Sequence, residues 1–173
     1  MTVINRLRDR IRDVPDFPRK GILFRDITPV LEEPALFRGL IDELVAPWKG
    51  AGLTRIAAVE SRGFIFGAPM ALSLGIGMSL VRKAGKLPHK TLQRSYALEY
   101  GEGVLEMHAN TMAPGDRVLI VDDLLATGGT AAAAAHLVRD AGAEVLGSCF
   151  VVELAFLEGR KKLEGRVEAL LTY

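Results

Sequence analysis

The 173-residue sequence carries one cysteine, Cys149, which excludes an intramolecular disulfide and any metal cluster built on several thiolates. That cysteine stands in the apolar run Val145 to Val152, where an inert buried thiol is expected. An excess of one charge is also lacking: 22 Lys and Arg face 21 Asp and Glu, a formal net charge of +1. Nothing in that balance favours a nucleic-acid surface, so any basic site is local. No apolar segment reaches the roughly 20 residues that cross a bilayer. The N-terminal pattern is charged and amphipathic, unlike a secretory signal, and the cytoplasm is the expected compartment. No membrane partner is expected either. There are no internal repeats and no low-complexity linker. The three histidines, His89, His108 and His136, have no partner at ligand spacing and read as non-catalytic. What is present is a globular composition, 49% apolar and 25% charged, long enough for one domain over residues 1–173 with a full core.

Val3, Ile4, Leu7, Ile11 and Val14 recur at helical spacing and predict an amphipathic N-terminal helix that ends at Pro15 and Pro18. Residues 16–31 read as an irregular cap. Pro34 suits the first turn of a second helix whose apolar positions run from Leu36 to Val45. Strands are expected at Arg55 to Val59, Gly77 to Val81, Val118 to Val121, Glu144 to Val152 and Val167 to Leu171, with helices after the first and third. Strands alternating with helices give an α/β fold: a mainly parallel, twisted sheet flanked by helices, with ligands beyond the carboxyl ends of the strands. Residues 84–103 contain Gly85, Pro88, Gly101 and Gly103 and little periodicity, which predicts a long mobile loop or a hairpin. A loop that long in a compact domain is usually functional.

The most informative stretch runs from Val118 to Ala135. A strand of four apolar residues, three of them β-branched, leads into Asp122 and Asp123. The small turn Ala126-Thr127-Gly128-Gly129-Thr130 then opens an alanine-rich helix. Free backbone N–H groups and the helix dipole make such a turn a cradle for phosphate. Carboxylates repel phosphate, so the acidic pair is expected to meet the uncharged part of the same ligand, accepting from the 2′ and 3′ hydroxyls of a ribose. The turn lacks the lysine of the loop that serves nucleoside triphosphates, so a single 5′-phosphate fits best.

This segment, VDDLLATGGT, resembles the phosphoribosyl pyrophosphate motif of the type I phosphoribosyltransferases, and within that family it is most similar to the members that use adenine. The resemblance extends along nearly the whole chain. It includes DFPRKGILFRDITPVL (Asp16 to Leu31), ESRGFIFGAP (Glu60 to Pro69), RKAGKLP (Arg82 to Pro88), YALEYG (Tyr96 to Gly101) and VELAFLEGR (Val152 to Arg160), in the family's order. It implies the type I phosphoribosyltransferase fold with a flexible hood over residues 84–103, a purine-side cap over residues 1–31, and a homodimer. The implied reaction, part of purine salvage, joins adenine and phosphoribosyl pyrophosphate to give AMP and pyrophosphate.

Several roles follow. Arg62, flanked by Ser61 and Gly63, offers a guanidinium fork to the leaving pyrophosphate; the competing reading pairs Arg62 with Glu60. The resemblance implies that this turn exposes its amides to pyrophosphate, that Arg82, Lys83 and Lys86 add cations from the same or a neighbouring subunit, and that Glu99 and Tyr100 act in catalysis. Glu99 suits proton transfer at the purine imidazole; the bland alternative is a surface glutamate. Leu23, Phe24, Arg25 and Leu157 match the family's adenine pocket; for Leu23 and Leu157 the alternative is core packing. Mg²⁺ is expected as the pyrophosphate chelate, held mainly by substrate and with no protein-only metal site. Two rivals stay open: the same chemistry on a 6-oxopurine, with Lys161 or Lys162 near the oxo group, and a nucleic-acid-binding sensor of the phosphoribosyl donor.

Overall fold

A computed structural model of the chain describes residues 2–97 and 102–173. Its contacts divide the chain into two compact units, Met1–Glu43 and Leu44–Tyr173.

In the first unit the helix α1 spans Val3–Arg10. Thr2 caps it by accepting from the Asn5 N–H at 3.2 Å, and Arg8 and Arg10 place cations in its last turn. The helix ends before Pro15, contrary to the apolar spacing, because Ile11 turns extended. Strand β1, Arg12–Pro15, then pairs antiparallel with β2, Leu23–Asp26, setting Val14 opposite Phe24. An apolar run this short fits periods of 3.6 and 2 equally, and the ladder decides. The expected irregular cap therefore contains a strand and also the short helix α2, Thr28–Leu31. Asp26 ties that helix down, accepting from the Thr28 N–H at 2.9 Å and its hydroxyl at 2.7 Å. Helix α3 covers Pro34–Val45, with its proline at the first position as expected.

The second unit is built on seven strands: β3 (Arg55–Val59), β4 (Gly77–Lys83), β5 (Thr91–Ala97), β6 (Glu102–His108), β7 (Arg117–Leu125), β8 (Glu144–Glu153) and β9 (Arg166–Thr172). Their order is β5-β6-β4-β3-β7-β8-β9. The five strands from β4 to β9 are mutually parallel, and β6 and β5 extend the sheet antiparallel at one edge. The expected mainly parallel sheet is borne out. Residues 84–103 carry β5 and the start of β6, which pair antiparallel as the hairpin, one of the two forms expected, and β6 buries Leu105, Glu106 and Met107 in succession. Neither strand alternates cleanly between buried and exposed positions, which left no period to read; residues 98–101, between the two strands, lie outside the described residues.

Helix α4, Gly63–Leu74, and helix α5, Gly129–Asp140, cover opposite faces. A Cβ on Gly67 would lie 2.6 Å from Ala58 Cβ, so α4 packs closely on the face carrying Ile56 and Ala58. Successive strand residues alternate in direction. Accordingly Ala57, Val59 and Ile120 meet Ala133, Ala134, Leu137 and Val138 of α5 on the other side. From β3 the chain leaves through α4 to β4, then returns through β6 to β7 on the other flank of β3. The carboxyl ends of β3 and β7 are thus neighbours whose loops diverge, and a crevice opens between them.

Leu119 is fully buried in the centre of β7. Leu119→Ala is expected to lower stability by about 2–5 kcal/mol through lost transfer and an unfilled cavity. Denaturant titration will read this as a lower midpoint at unchanged slope.

Candidate active site

Two loops meet at that crevice. After β3 comes the turn Glu60-Ser61-Arg62, whose Glu60–Ser61 peptide is cis, and Gly63 starts α4. A Cβ on Gly63 would fall 2.7 Å from the Val121 carbonyl oxygen and 3.2 Å from Asp122 Cα, so only glycine lets this turn lie against β7. The approach puts Arg62 Nε 2.9 Å from Asp123 Oδ2. β7 runs on through the acidic pair to Leu125, four residues beyond the apolar core expected from the sequence. Asp123 is buried, and Asp122 Oδ1 accepts from its backbone N–H at 2.8 Å. Burial raises both carboxyls above the usual Asp value. Repulsion by Asp123 adds to the effect on Asp122, while the Arg62 guanidinium moderates it for Asp123. Hydroxyl donors from a sugar would favour their ionised forms.

The turn beyond the acids is shaped by two glycines. Gly128 has φ +77° and caps α5, and a Cβ there would lie 2.3 Å from the Gly159 carbonyl oxygen. Reciprocally, a Cβ on Gly159 would lie 2.1 Å from the Ala126 carbonyl oxygen. Backbone from residue 159 therefore supports the turn directly. Opposite, the hairpin strand β5 lies over the start of α5, with the Tyr96 ring and the Ala97 carbonyl near Gly129.

A cavity of about 550 Å³ opens over these loops. Its walls include the predicted Ser61, Arg62, Lys83, Lys86, Asp122 and Asp123, and also Ala126 and Thr130. Thr127, Gly128 and Gly129 enclose an adjoining space of about 70 Å³. Arg82 stands behind the wall: its Nη2 is 3.2 Å from Glu60 Oε1 and its Nη1 donates to the Lys86 carbonyl at 3.1 Å. The two remaining groups fall elsewhere. Glu99 and Tyr100 lie outside the described residues. Leu23, Phe24 and Arg25 belong to β2 of the first unit, where Phe24 meets Phe17 edge-on at 5.1 Å and Arg25 pairs with Asp13. Leu157, half-buried, closes a 3-10 turn after β8 in the second unit, beside an exposed Phe156.

The sequence reading missed Glu60, Tyr96, Leu105 and Leu124 as wall residues. Glu60 is the most consequential. Its Oε1 lies 2.9 Å from Lys86 Nζ, and its Oε2 accepts from the Lys83 N–H at 2.9 Å. Burial alone would raise this carboxyl, but Lys86, the Lys83 amide and Arg82 outweigh it and hold it at about 2. An acid two residues before an arginine gives no sequence sign that its partners come from the next strand. Among the described residues, no three His, Cys, Asp or Glu side chains gather as metal ligands.

The phosphoribosyl transferase domain family matches residues 34–168. The chain belongs to that family. Over its full length it falls among the adenine phosphoribosyltransferases, as three likenesses indicate. It is 56% identical to the adenine phosphoribosyltransferase of Anaeromyxobacter dehalogenans strain 2CP-C, over 99% of this chain and 100% of that protein. The crystal structure of adenine phosphoribosyltransferase from Rhodothermus marinus is 49% identical, with a TM-score of 0.94 over 99% of this chain and 98% of that one. The Saccharomyces cerevisiae enzyme, crystallised with D-2,5-dideoxy-2,5-imino-altritol 1,6-bisphosphate and adenine, is 43% identical, with a TM-score of 0.93 over 98% of each chain.

Two outcomes are expected from this geometry. Gly159→Ala forces the 126–128 backbone to move and is expected to weaken binding of ribose 5-phosphate, measured by calorimetry, more than it lowers the melting temperature. The ion cluster on Glu60 makes a stability contribution that is complete above the unfolded value of 4.5 and is lost as pH falls towards about 2. The stability difference between the native chain and Glu60→Gln, followed by denaturant titration, should therefore shrink across that acid window.

Proposed function

We propose that this protein transfers the 5-phosphoribosyl group of phosphoribosyl pyrophosphate to adenine, giving AMP and pyrophosphate. The observation that carries the reading is one wall: the Asp122–Asp123 pair stands directly before the phosphate turn, and Arg62, Lys83 and Lys86 share the same cavity. In this arrangement the turn at 126–130 fixes the 5′-phosphate through backbone amides and the Thr127 and Thr130 hydroxyls. The carboxylates accept from the ribose hydroxyls, which sets C1′ towards the cationic side. There the C1′–O bond breaks with its electron pair leaving on pyrophosphate, and Arg62 with the hood cations neutralises that charge. Purine N9 supplies the pair that forms the new bond to C1′, and its proton passes to Glu99. The β5–β6 hairpin excludes water from the developing oxocarbenium ion.

Mg²⁺, which prefers oxygen ligands and keeps several waters, would be held mainly by the pyrophosphate oxygens of the donor and would supply further charge neutralisation there. Leu157 and, on the family resemblance, Leu23, Phe24, Arg25 and Tyr100 complete the set assigned to the purine and to catalysis. The reading favours adenine over 6-oxopurines: Lys161, one of the two lysines that could serve a 6-oxo group, is engaged by Glu158, its Nζ 2.5 Å from Glu158 Oε1. A homodimer fits the exposed Leu72 and Ile65 on α4, and the cytoplasm fits the single buried thiol of Cys149. No described helix is long and apolar enough to cross a membrane.

The test is steady-state formation of nucleotide and pyrophosphate with each purine in turn. Adenine is the expected substrate, and turnover of hypoxanthine or guanine without adenine defeats the choice. Replacing both carboxylates (Asp122→Asn with Asp123→Asn) is expected to lower kcat/KM for the donor by roughly 10²–10⁴, two charged hydrogen bonds at about 1.5–3 kcal/mol each.

A further inference from the structure

Glu106 lines no part of the cavity, yet it is one of the few acids buried in the second unit, with 2% of its surface exposed. It sits on β6 with Arg82 of β4 opposite on one side and Gln93 of β5 on the other. Its Oε1 accepts from the backbone N–H of Lys86 at 2.7 Å and of Leu87 at 2.8 Å. Its Oε2 meets Gln93 Nε2 at 3.3 Å and Thr91 Oγ1 at 3.4 Å. Arg82 Nη1 meanwhile donates to the carbonyl of the same Lys86. The Lys86 residue is thus held at its N–H by one side chain and at its carbonyl by another, and its ammonium extends to Glu60 at the cavity wall.

A buried carboxylate is a costly choice for a merely structural support, because desolvating the charge opposes folding unless donors surround it. An ionised acceptor grips backbone N–H groups more strongly than a neutral one. Here the grip falls on the turn that carries the cation. We propose that Glu106 is a positioning residue for the leaving-group end of the site: through the 85–87 turn it fixes where Lys86 presents its ammonium to pyrophosphate. The inference rests on the reading of Lys86 as a pyrophosphate cation.

Lys86→Ala, Glu106→Leu, Glu106→Gln and the double variant Lys86→Ala with Glu106→Leu form the test. Pyrophosphate product inhibition, KM for the donor, KM for adenine and kcat are measured for each, with thermal melting alongside. Lys86→Ala and Glu106→Leu are each expected to weaken pyrophosphate by about tenfold to a hundredfold, the scale of one charge-assisted hydrogen bond. Glu106→Gln, which keeps one acceptor, is expected to fall between native and Glu106→Leu; it serves alone if the leucine variant does not fold. KM for adenine should stay within about twofold, and the double variant should bind pyrophosphate as Lys86→Ala does, the signature of one residue acting through another. Additive losses in the double variant, or Glu106 variants that melt earlier but bind pyrophosphate normally while Lys86→Ala does not, overturn the inference. A normal pyrophosphate response in Lys86→Ala overturns the reading of Lys86 instead, and the proposal about Glu106 with it.

Discussion

The contact on which the rest depends is the approach of the Gly63 backbone to the end of β7, too close for any side chain. It joins two loops far apart in sequence. Arg62 is thereby delivered to Asp123, so that in the proposed reading the cation for the leaving group stands beside the acids for the sugar. Sheet order makes this possible, because β3 and β7 are neighbours although three strands separate them in the chain. Remove the glycine and the turn must lift from β7, separating the anionic and cationic halves of the cavity.

Around that contact, among the described residues, each buried acid has partners. Glu60 takes Arg82 and Lys86, Asp123 takes Arg62, and Glu106 takes backbone amides. Each pairing offsets a desolvation cost that would otherwise oppose folding. The acids also set the resting geometry of the cations. In the proposed reading a pyrophosphate would meet cations already held in place by these acids, which reduces the reorganisation left for the bond-breaking step. The two raised carboxyls show the opposite treatment. Asp122 and Asp123 are crowded together with Arg62 beside Asp123, and hydroxyl donors would relieve that crowding better than a phosphate could.

How much of this the sequence discloses depends on the range of the interaction. The phosphate turn is local: a β-branched strand, two acids, small residues and an alanine helix follow one another, and the chain order alone describes the cradle. The parallel sheet is equally legible, since strand and helix periods alternate clearly. The first strand was not, because Val14 satisfies a helical spacing and a ladder position at once. Glu60 and Glu106 escaped for a different reason. Their partners lie 13 to 26 residues away in sequence, on neighbouring strands and the turn after β4, and no spacing rule connects a carboxylate to an amide across a sheet. Tyr96 escaped because glycine-rich flanks made its segment look like a loop, whereas Gly103 is there to leave room for its ring.

The Val152 to Arg160 segment shows why a motif can be specific without containing a catalytic group. Glu153, buried at the end of β8, holds Arg160 by two hydrogen bonds of 3.0 and 2.5 Å, and Arg160 also donates to the Val167 carbonyl at 2.6 Å. These bonds close a short loop that contains both Leu157 and Gly159. Gly159 presses on Ala126 and Gly128 of the phosphate turn, so Leu157 and the turn are set by the same clamp. A charge pair at a strand end, a glycine at a backbone crossing and an apolar residue between them thus form one mechanical unit. Substituting the charges would be felt at the 126–128 turn, although neither Glu153 nor Arg160 lines the cavity.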